Sequence, residues 1–329
     1  MKIVRFSFLV ILSALFILSS CAHHKKLPVE ITHTVYSIDE DDESLLRHYA
    51  PLFLAYDYQS EYNRIGRVSA RYDERGDEQI FVDSRHPTVY YLKRNFSTNK
   101  STYINLIYRV HFPEVPFSLI PFNLTAGNNI GLMVVVTINS QHQPVLITTV
   151  HTCGCYLAIV PTSYLPKNSL PTKWDGTTID VYGEKLPGSL DYAKATHPKL
   201  LVHLRPEVHR VMDLEIIAKK DFQELQDVSV IKMPLLPMED LEEVPLGDGT
   251  TSFYHQEGIL KGHVKGSIKP FESILLSLPS LDFFVGTDKV FGDRKETGNP
   301  FYTSLKPWNR KASDMWNFSE FLKFWGWRL

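Results

Sequence analysis

Cysteine is scarce in this sequence. Only three cysteines occur in 329 residues, at positions 21, 153 and 155. Three cysteines cannot build the dense disulfide framework of a small secreted domain, and no second cysteine pair is present to complete a four-cysteine zinc site. The C-x-x-C-H motif of covalently attached c-type haem is also absent. Any cysteine chemistry must therefore rest on these three residues.

The sequence also lacks a large net charge and an apolar run long enough to cross a membrane. The 35 Lys and Arg residues nearly balance the 37 Asp and Glu residues, which leaves a formal net charge of −2. Because nucleic-acid binding needs a basic surface, we expect no nucleic-acid partner. The apolar stretch at residues 6–18 is shorter than the roughly 20 residues that cross a bilayer. The composition, with 43% hydrophobic residues, is that of a globular protein.

Common catalytic motifs are missing too. The sequence has no G-x-S-x-G, H-E-x-x-H, Walker A or G-x-G-x-x-G pattern. Residues 97–100 satisfy S-x-x-K, but the S-D-N and K-T-G partners of that motif do not occur. No enzymatic activity can be assigned from motifs, and the question of catalysis stays open.

The N-terminus has the layout of an export signal. Lys2 and Arg5 supply a positive segment, the apolar stretch 6–18 follows, and residues 18–21 read Leu-Ser-Ser-Cys. This junction resembles the lipobox of bacterial lipoproteins. The resemblance covers about 22 residues.

The resemblance implies an acylated Cys21 that becomes the first residue of the mature chain and binds the lipid bilayer. Ala22 after the cysteine, rather than Asp, fits transfer to an outer membrane if the source is a two-membrane bacterium. A single acyl chain binds a membrane only weakly, whereas two or three acyl chains on one cysteine give stable anchoring. We therefore expect a lipid-anchored protein of the outer membrane that faces the periplasm or the cell surface.

The whole chain divides by composition into five predicted regions. We predict a signal peptide at residues 1–20, the acylated cysteine and a polar tether at 21–28, and a β-rich core region at 29–160. Proline and glycine recur with polar residues at 161–198, which indicates a surface excursion. Residues 199–329 are predicted to form a second β-containing region that ends in an aromatic helix.

Periodicity predicts the fold class. Residues 102–112 alternate between apolar or β-branched and other side chains, as in a half-buried strand. Residues 130–138 form an apolar run, residues 139–144 supply turn chemistry and residues 145–160 resume the β pattern, which indicates an antiparallel hairpin. A helix is predicted over residues 313–325, capped by Ser313, with its aromatic residues docked into the core rather than exposed as a membrane belt. The prediction is a β-rich α+β fold with a predominantly antiparallel sheet and a C-terminal helix.

The segment around Cys153 and Cys155 is the main candidate site. If it is an extended strand, His151, Cys153 and Cys155 point to the same face, and Gly154 permits a bend between the cysteines. An imidazole and two thiolates form a ligand set that suits Cu⁺ or Zn²⁺. A fourth ligand would come from elsewhere, and the candidates are the histidines on or beside predicted strands: His111, His203 and His209.

Two other interpretations of this segment stay open. An exported compartment favours pairing of Cys153 with Cys155, which would make them a thiol–disulfide redox couple. Alternatively, both cysteines are small buried residues beside a core histidine. The main prediction is therefore an envelope lipoprotein that binds a soft metal ion. The alternatives are a non-catalytic envelope assembly protein with a protein partner, and a thiol-redox protein.

Overall fold

A computed structural model describes residues 33–38, 44–120, 122–193, 195–218, 221 and 229–329. The predicted signal, Cys21 and the tether lie outside the described residues. The strands are β1 (His33–Ile38), β2 (Leu52–Tyr56), β3 (Arg67–Tyr72), β4 (Glu78–Asp83), β5 (Val89–Ser97), β6 (Thr102–Val115), β7 (Gly127–Ile138), β8 (Pro144–His151), β9 (Ala158–Pro161), β10 (Thr178–Val181), β11 (Glu184–Pro187), β12 (Pro198–Leu204), β13 (Val211–Ala218), β14 (Ser229–Met233), β15 (Leu235–Pro237), β16 (Val244–Leu246) and β17 (Gly249–Thr251). The α-helices are α1 (Leu45–His48), α2 (Pro270–Ser280), α3 (Arg294–Thr297) and α4 (Phe318–Phe324).

Two sheets organise the molecule. A six-stranded sheet has the order β15-β5-β6-β7-β8-β9, and all its pairs are antiparallel except β15 with β5. A five-stranded mixed sheet has the order β13-β12-β2-β1-β14. Three two-stranded hairpins, β3–β4, β10–β11 and β16–β17, complete the β structure of the described residues. The prediction of a β-rich α+β fold with mainly antiparallel pairing and a helix near the C-terminus is confirmed.

The central hairpin forms where the sequence predicts it. In the connection between β7 and β8, the side-chain oxygen of Asn139 accepts hydrogen bonds from the backbone N–H groups of Gln141 and Gln143, both at 2.9 Å. His142 takes a left-handed conformation with φ of 58°. Such side-chain bonds to the following backbone are the reason asparagine favours turns. Residues 145–160 form two strands rather than one, because the chain turns after His151 before β9 begins.

The six-stranded sheet is buried on both faces. Leu106, Tyr108 and Val134 pack toward the five-stranded sheet in one core cluster. Ile107 and Val135 face the opposite way, in a second cluster built largely from the C-terminal part of the chain, which includes Phe253, Phe301, Met315, Phe318 and Phe321. The prediction of a half-buried strand at residues 102–112 is therefore wrong, because residues 253–329 cover its second face.

The C-terminal helices differ in detail from the expectation. Helix α4 begins at Phe318, and Ser313 is not its cap. Instead, the Ser313 hydroxyl oxygen accepts a hydrogen bond from the backbone N–H of Ser304 at 3.2 Å. Phe318 and Phe321 of α4 pack into the core as predicted, whereas Trp325, which follows the helix, is 40% exposed. The eleven-residue helix α2 contains two prolines: Pro270 stands in its first turn, where the missing N–H is not needed, and Pro279 lies in its last turn.

Candidate functional site

The segment 151–155 forms a tight turn at the end of β8. The backbone N–H of Gly154 donates to the carbonyl of His151 at 2.8 Å, and the N–H of His151 donates to the carbonyl of Cys155 at 2.9 Å. Gly154 makes the turn possible with a φ of 90°, a region that glycine enters without steric cost. The prediction that His151, Cys153 and Cys155 share one face of an extended strand is wrong, since only His151 belongs to the strand.

The turn nevertheless brings the three predicted residues together. The Cα atoms of Cys153 and Cys155 lie 5.6 Å apart and their sulfurs form a disulfide. This separation is within the range that disulfides normally span. One ligand atom from each of His151, Cys153 and Cys155 lies within 4.8 Å of the other two. The structure therefore places the two disulfide-bonded sulfurs and an imidazole within 4.8 Å of one another.

His151 is buried and has an unused ring nitrogen. Its imidazole packs edge-on against the ring of Tyr156, with the ring centroids 4.8 Å apart, and hydrogen-bonds to the backbone of His209. Among the described residues, no hydrogen-bond partner faces its Nε2 atom. Burial, followed by the positive charge of Lys269, lowers the pKa of His151 well below its ordinary value. The ring is therefore neutral at pH 7, which is the form that binds metals.

The other candidate histidines do not join this group. The ring of His209 stacks on Phe112 and its Nε2–H donates to the carbonyl of Glu114 at 2.8 Å. His111 accepts a hydrogen bond from Arg109 at 2.9 Å. His203 lies in the other sheet, in a hydrogen bond with the hydroxyl of Tyr56. Within the described part of the chain, none of the three supplies a fourth ligand.

A segment distant in sequence holds the turn in place. The backbone N–H of Lys289 donates to the carbonyl of Thr152 at 2.9 Å, and its ammonium donates to the carbonyls of Cys153 at 3.1 Å and Thr287 at 3.0 Å. The neighbouring Asp288 accepts hydrogen bonds from the Thr152 hydroxyl and from the backbone of Gly131. The sequence analysis missed this segment, because a single Asp-Lys pair in a loop has no periodic signal.

The charges around the turn are buried. Lys269 Nζ lies 3.1 Å from Asp288 Oδ2, and both side chains are fully buried. Burial is the main reason that the pKa of Lys289 falls to about 8, against the opposing effect of the Asp282 and Asp288 carboxylates. Lys289 therefore remains largely protonated at pH 7, and its positive charge lies beside the carbonyl of Cys153.

A small cavity opens on the disulfide. Its volume is about 230 Å³, and Cys153, Gly154 and Cys155 form part of its wall. Cys153 is buried, whereas Cys155 is half-buried. Glu272 also lines the cavity; its Oε2 has no hydrogen-bond partner among the described residues, and burial raises its pKa. The remaining wall is mostly apolar or aromatic, from Phe122, Leu124, Tyr156, Tyr182, Leu275, Leu276, Val285, Tyr302 and Leu305. The disulfide is thus part of the wall of a largely apolar cavity.

Comparisons with known proteins do not identify the chain. It matches no protein-family model, no curated protein and no solved structure. Within the described residues, no helix is both long and apolar enough to pass through a membrane. Function must therefore be inferred from the residues themselves.

Proposed function

We propose that this protein is an acyl-anchored envelope protein that binds a soft metal ion through His151, Cys153 and Cys155 when its disulfide is reduced. The observation that carries the proposal is the approach of the three ligand atoms to within 4.8 Å of one another. The unpartnered, buried Nε2 of a neutral His151 supports it. The anchor is Cys21, and the site of action is the periplasmic or surface side of an outer membrane.

The disulfide sets the condition for binding. A dithiol reductant would transfer two electrons, the bond between the two sulfurs would break, and each sulfur would take up one proton while the reductant became a disulfide. Metal binding then displaces a proton from each thiol. The neutral His151 contributes its nitrogen without losing a proton. Three protein ligands leave one coordination position open, as in catalytic zinc sites.

The local charge favours a monovalent ion. Two thiolates with Cu⁺ have a net charge of −1, whereas two thiolates with Zn²⁺ are neutral. The ammonium of Lys289 donates a hydrogen bond to the carbonyl of Cys153, and its positive charge offsets the net negative charge of the Cu⁺ site. Soft thiolate ligands also select Cu⁺. We therefore expect Cu⁺ to bind more tightly than Zn²⁺.

The disulfide contributes little to the stability of the fold. In the loop-closure relation, a crosslink around a loop of only three residues stabilises the folded state by about 1.6 kcal/mol, compared with about 4.7 kcal/mol for a loop of 100 residues. Cys153 and Cys155 are separated by only two positions. A bond with so small a structural effect is better explained by reversible chemistry than by a need for rigidity.

A second candidate function is thiol–disulfide exchange. It is favoured by the cavity, because both cysteines line its wall and an external thiolate could approach a sulfur from there. In that case the same residues would act without a metal. The third possibility, an assembly protein with no chemistry at this site, would leave Cys153 and Cys155 inert.

The test is a chelator competition titration with Cu⁺ and with Zn²⁺ on the full-length protein, before and after reduction. We expect one ion per reduced chain and none on the oxidised chain.

The Cys153→Ser/Cys155→Ser variant should lose binding while keeping its fold, and His151→Ala should weaken binding less, because water could occupy its position. Affinity should fall as pH is lowered, because protons compete for the thiolates. The matched control is His203→Ala, because His203 lies in the five-stranded sheet and not at the candidate site. This variant should bind metal as tightly as the parent does.

Two outcomes would contradict metal binding. Unchanged affinity in the double-serine variant would place any metal elsewhere in the chain. If the reduced parent binds no metal, a thiol count decides between the remaining functions: thiols that reoxidise readily with a small disulfide support exchange, and two unreactive thiols support a role in assembly.

A further inference from the structure

The protein carries a large apolar face near the cavity. Its members come from three segments, residues 117–120, 274–283 and 308, and each is between 63% and 92% exposed. We call them the apolar face: Phe117, Leu119, Ile120, Ile274, Leu278, Leu281, Phe283 and Trp308. Scattered exposed apolar residues are normal on proteins, but a contiguous set of this kind marks a binding surface.

Contacts place the other two segments next to helix α2. The ring centroid of Phe117 lies 5.1 Å from that of Phe271, at the start of α2. At the other end of α2, the guanidinium of Arg310 donates to the carbonyl of Ser280 and lies 3.7 Å from the carboxylate of Asp282. The loop at 117–120 and the segment around Trp308 therefore flank the same helix.

Helix α2 exposes apolar rather than polar residues. Ile274 and Leu278 are four residues apart, so they lie along one side of the helix, and that side faces outward. Leu281, which follows the last helical residue in a left-handed conformation, is exposed as well. The charged residue within the helix, Glu272, is buried. A surface helix of a soluble protein normally presents its polar side to water. This inverted arrangement indicates that the outer side of α2 is covered in the functional state.

We propose that the apolar face inserts into the interfacial layer of a lipid bilayer. Trp308 is typical of membrane interfaces, where one part of its ring system is apolar and the other is polar. Lys306 and Lys311 are exposed on either side of it and suit anionic headgroups. The carboxylate of Asp282, next to the face, accepts a hydrogen bond from Tyr302 and is paired with Arg310. The face thus combines apolar anchors with a cationic edge.

The length of the tether supports the choice of a bilayer over a protein partner. This step rests on the proposed acylation of Cys21. Eleven residues lie between Cys21 and His33, where β1 begins, and the twelve Cα–Cα steps from one to the other span at most about 43 Å. The domain is therefore held close to the membrane surface, where even weak contacts are favoured by the high local concentration of lipid. The two signals together give stable attachment.

The experiment uses the mature acylated protein, which begins at Cys21, in vesicles of phosphatidylethanolamine and phosphatidylglycerol that include lipids brominated on their acyl chains. Bromine quenches tryptophan that enters the bilayer. We expect Trp308→Phe to remove roughly half or more of the quenched emission, because Trp308 is the tryptophan placed at the interface. Trp174→Phe is the matched control, since Trp174 packs against Trp327, and it should leave the quenched emission nearly unchanged.

A second pair of variants tests the helix. Ile274→Glu/Leu278→Glu should reduce the quenching of Trp308 while the protein still floats with the vesicles through its acyl anchor. Ile259→Glu, at an exposed apolar residue outside the face, should have no effect. Thermal unfolding of each variant checks that the fold is retained, which is expected because the substituted side chains are already exposed.

The outcomes separate this proposal from the anchor. If the parent floats with vesicles but Trp308→Phe is quenched as strongly as the parent, the anchor stands and lipid insertion of the face is contradicted, which leaves a protein partner or a second copy as its occupant. If the parent does not float at all, both acylation and lipid insertion are contradicted. Flotation with quenching that depends on Trp308, Ile274 and Leu278 supports the proposal.

Discussion

At the scale of single residues, Gly154 shapes the candidate site. Its φ of 90° is accessible to glycine but strained for any other residue. A Cβ atom added at this position would overlap the carbonyl oxygen of Tyr302. Backbone atoms cannot rotate away as a long side chain can, so the turn that brings Cys153 and Cys155 together needs glycine for two independent reasons.

We predict that Gly154→Ala lowers the free energy of unfolding by about 2–4 kcal/mol, because the substitution adds a steric overlap to a strained conformation. Gly76 is the matched control. It also has a positive φ, of 83°, but an added Cβ would meet no atom within 4 Å. Gly76→Ala should therefore cost only about 1 kcal/mol. Chemical denaturation of both variants measures the difference, and equal losses would show that the contact with Tyr302 has no effect.

At the scale of elements, a buried ion cluster joins strand β11 to the connection between β12 and β13. Glu184 in β11 is buried and accepts hydrogen bonds from the guanidinium groups of both Arg205 and Arg210. Arg210 also lines the cavity beside the disulfide. The cluster therefore positions one wall of the candidate site and ties β11 to the connection between β12 and β13.

We predict that Glu184→Gln lowers the free energy of unfolding by about 3 kcal/mol, because it leaves two partly buried arginines without their counter-ion. Glu320→Gln is the control. Glu320 and Lys323 lie 4.0 Å apart in an exposed pair, and breaking such a pair should change stability by less than about 0.5 kcal/mol. Urea unfolding of the two variants provides the comparison. Similar losses in both would mean that the Glu184 cluster is no stronger than a surface pair.

At the scale of the whole molecule, the proposed anchor, the apolar face and the candidate site form one arrangement. Leu275 and Leu276 of α2 line the cavity on the disulfide, while Ile274 and Leu278 of the same helix belong to the apolar face. If the face lies in a bilayer, the cavity is near the membrane surface. Apolar molecules concentrated in lipid would then be close to the disulfide.

The prediction at this scale concerns Cys21. Cys21→Ala should block acylation, because the modified sulfur is absent, and should leave the protein uncleaved or released from the membrane. Incorporation of radiolabelled palmitate measures the effect, and Cys153→Ser/Cys155→Ser, which keeps Cys21, is the control that should be labelled like the parent. Equal labelling of Cys21→Ala and the parent would contradict acylation at this residue.

Local sequence patterns by themselves determined much of the β architecture. The alternation at residues 102–112, the apolar run at 130–138 and the turn chemistry at 139–144 predict β6, β7 and their hairpin with β8, and these predictions are confirmed. They succeed because strand period and turn propensity depend on neighbouring residues. The closeness of His151, Cys153 and Cys155 also follows from their spacing, even though the predicted extended strand is wrong.

Tertiary structure alone decided the rest. Arg109 and His111 are buried because residues far along the chain cover the second face of the central sheet. The turn at 152–155 is held by Asp288 and Lys289, which lie 136 positions from their partners Thr152 and Cys153. The outward apolar side of α2 likewise depends on which side of the helix the fold buries. Such contacts leave no periodic trace in the sequence, because they join segments whose spacing along the chain is unrelated to their distance in space.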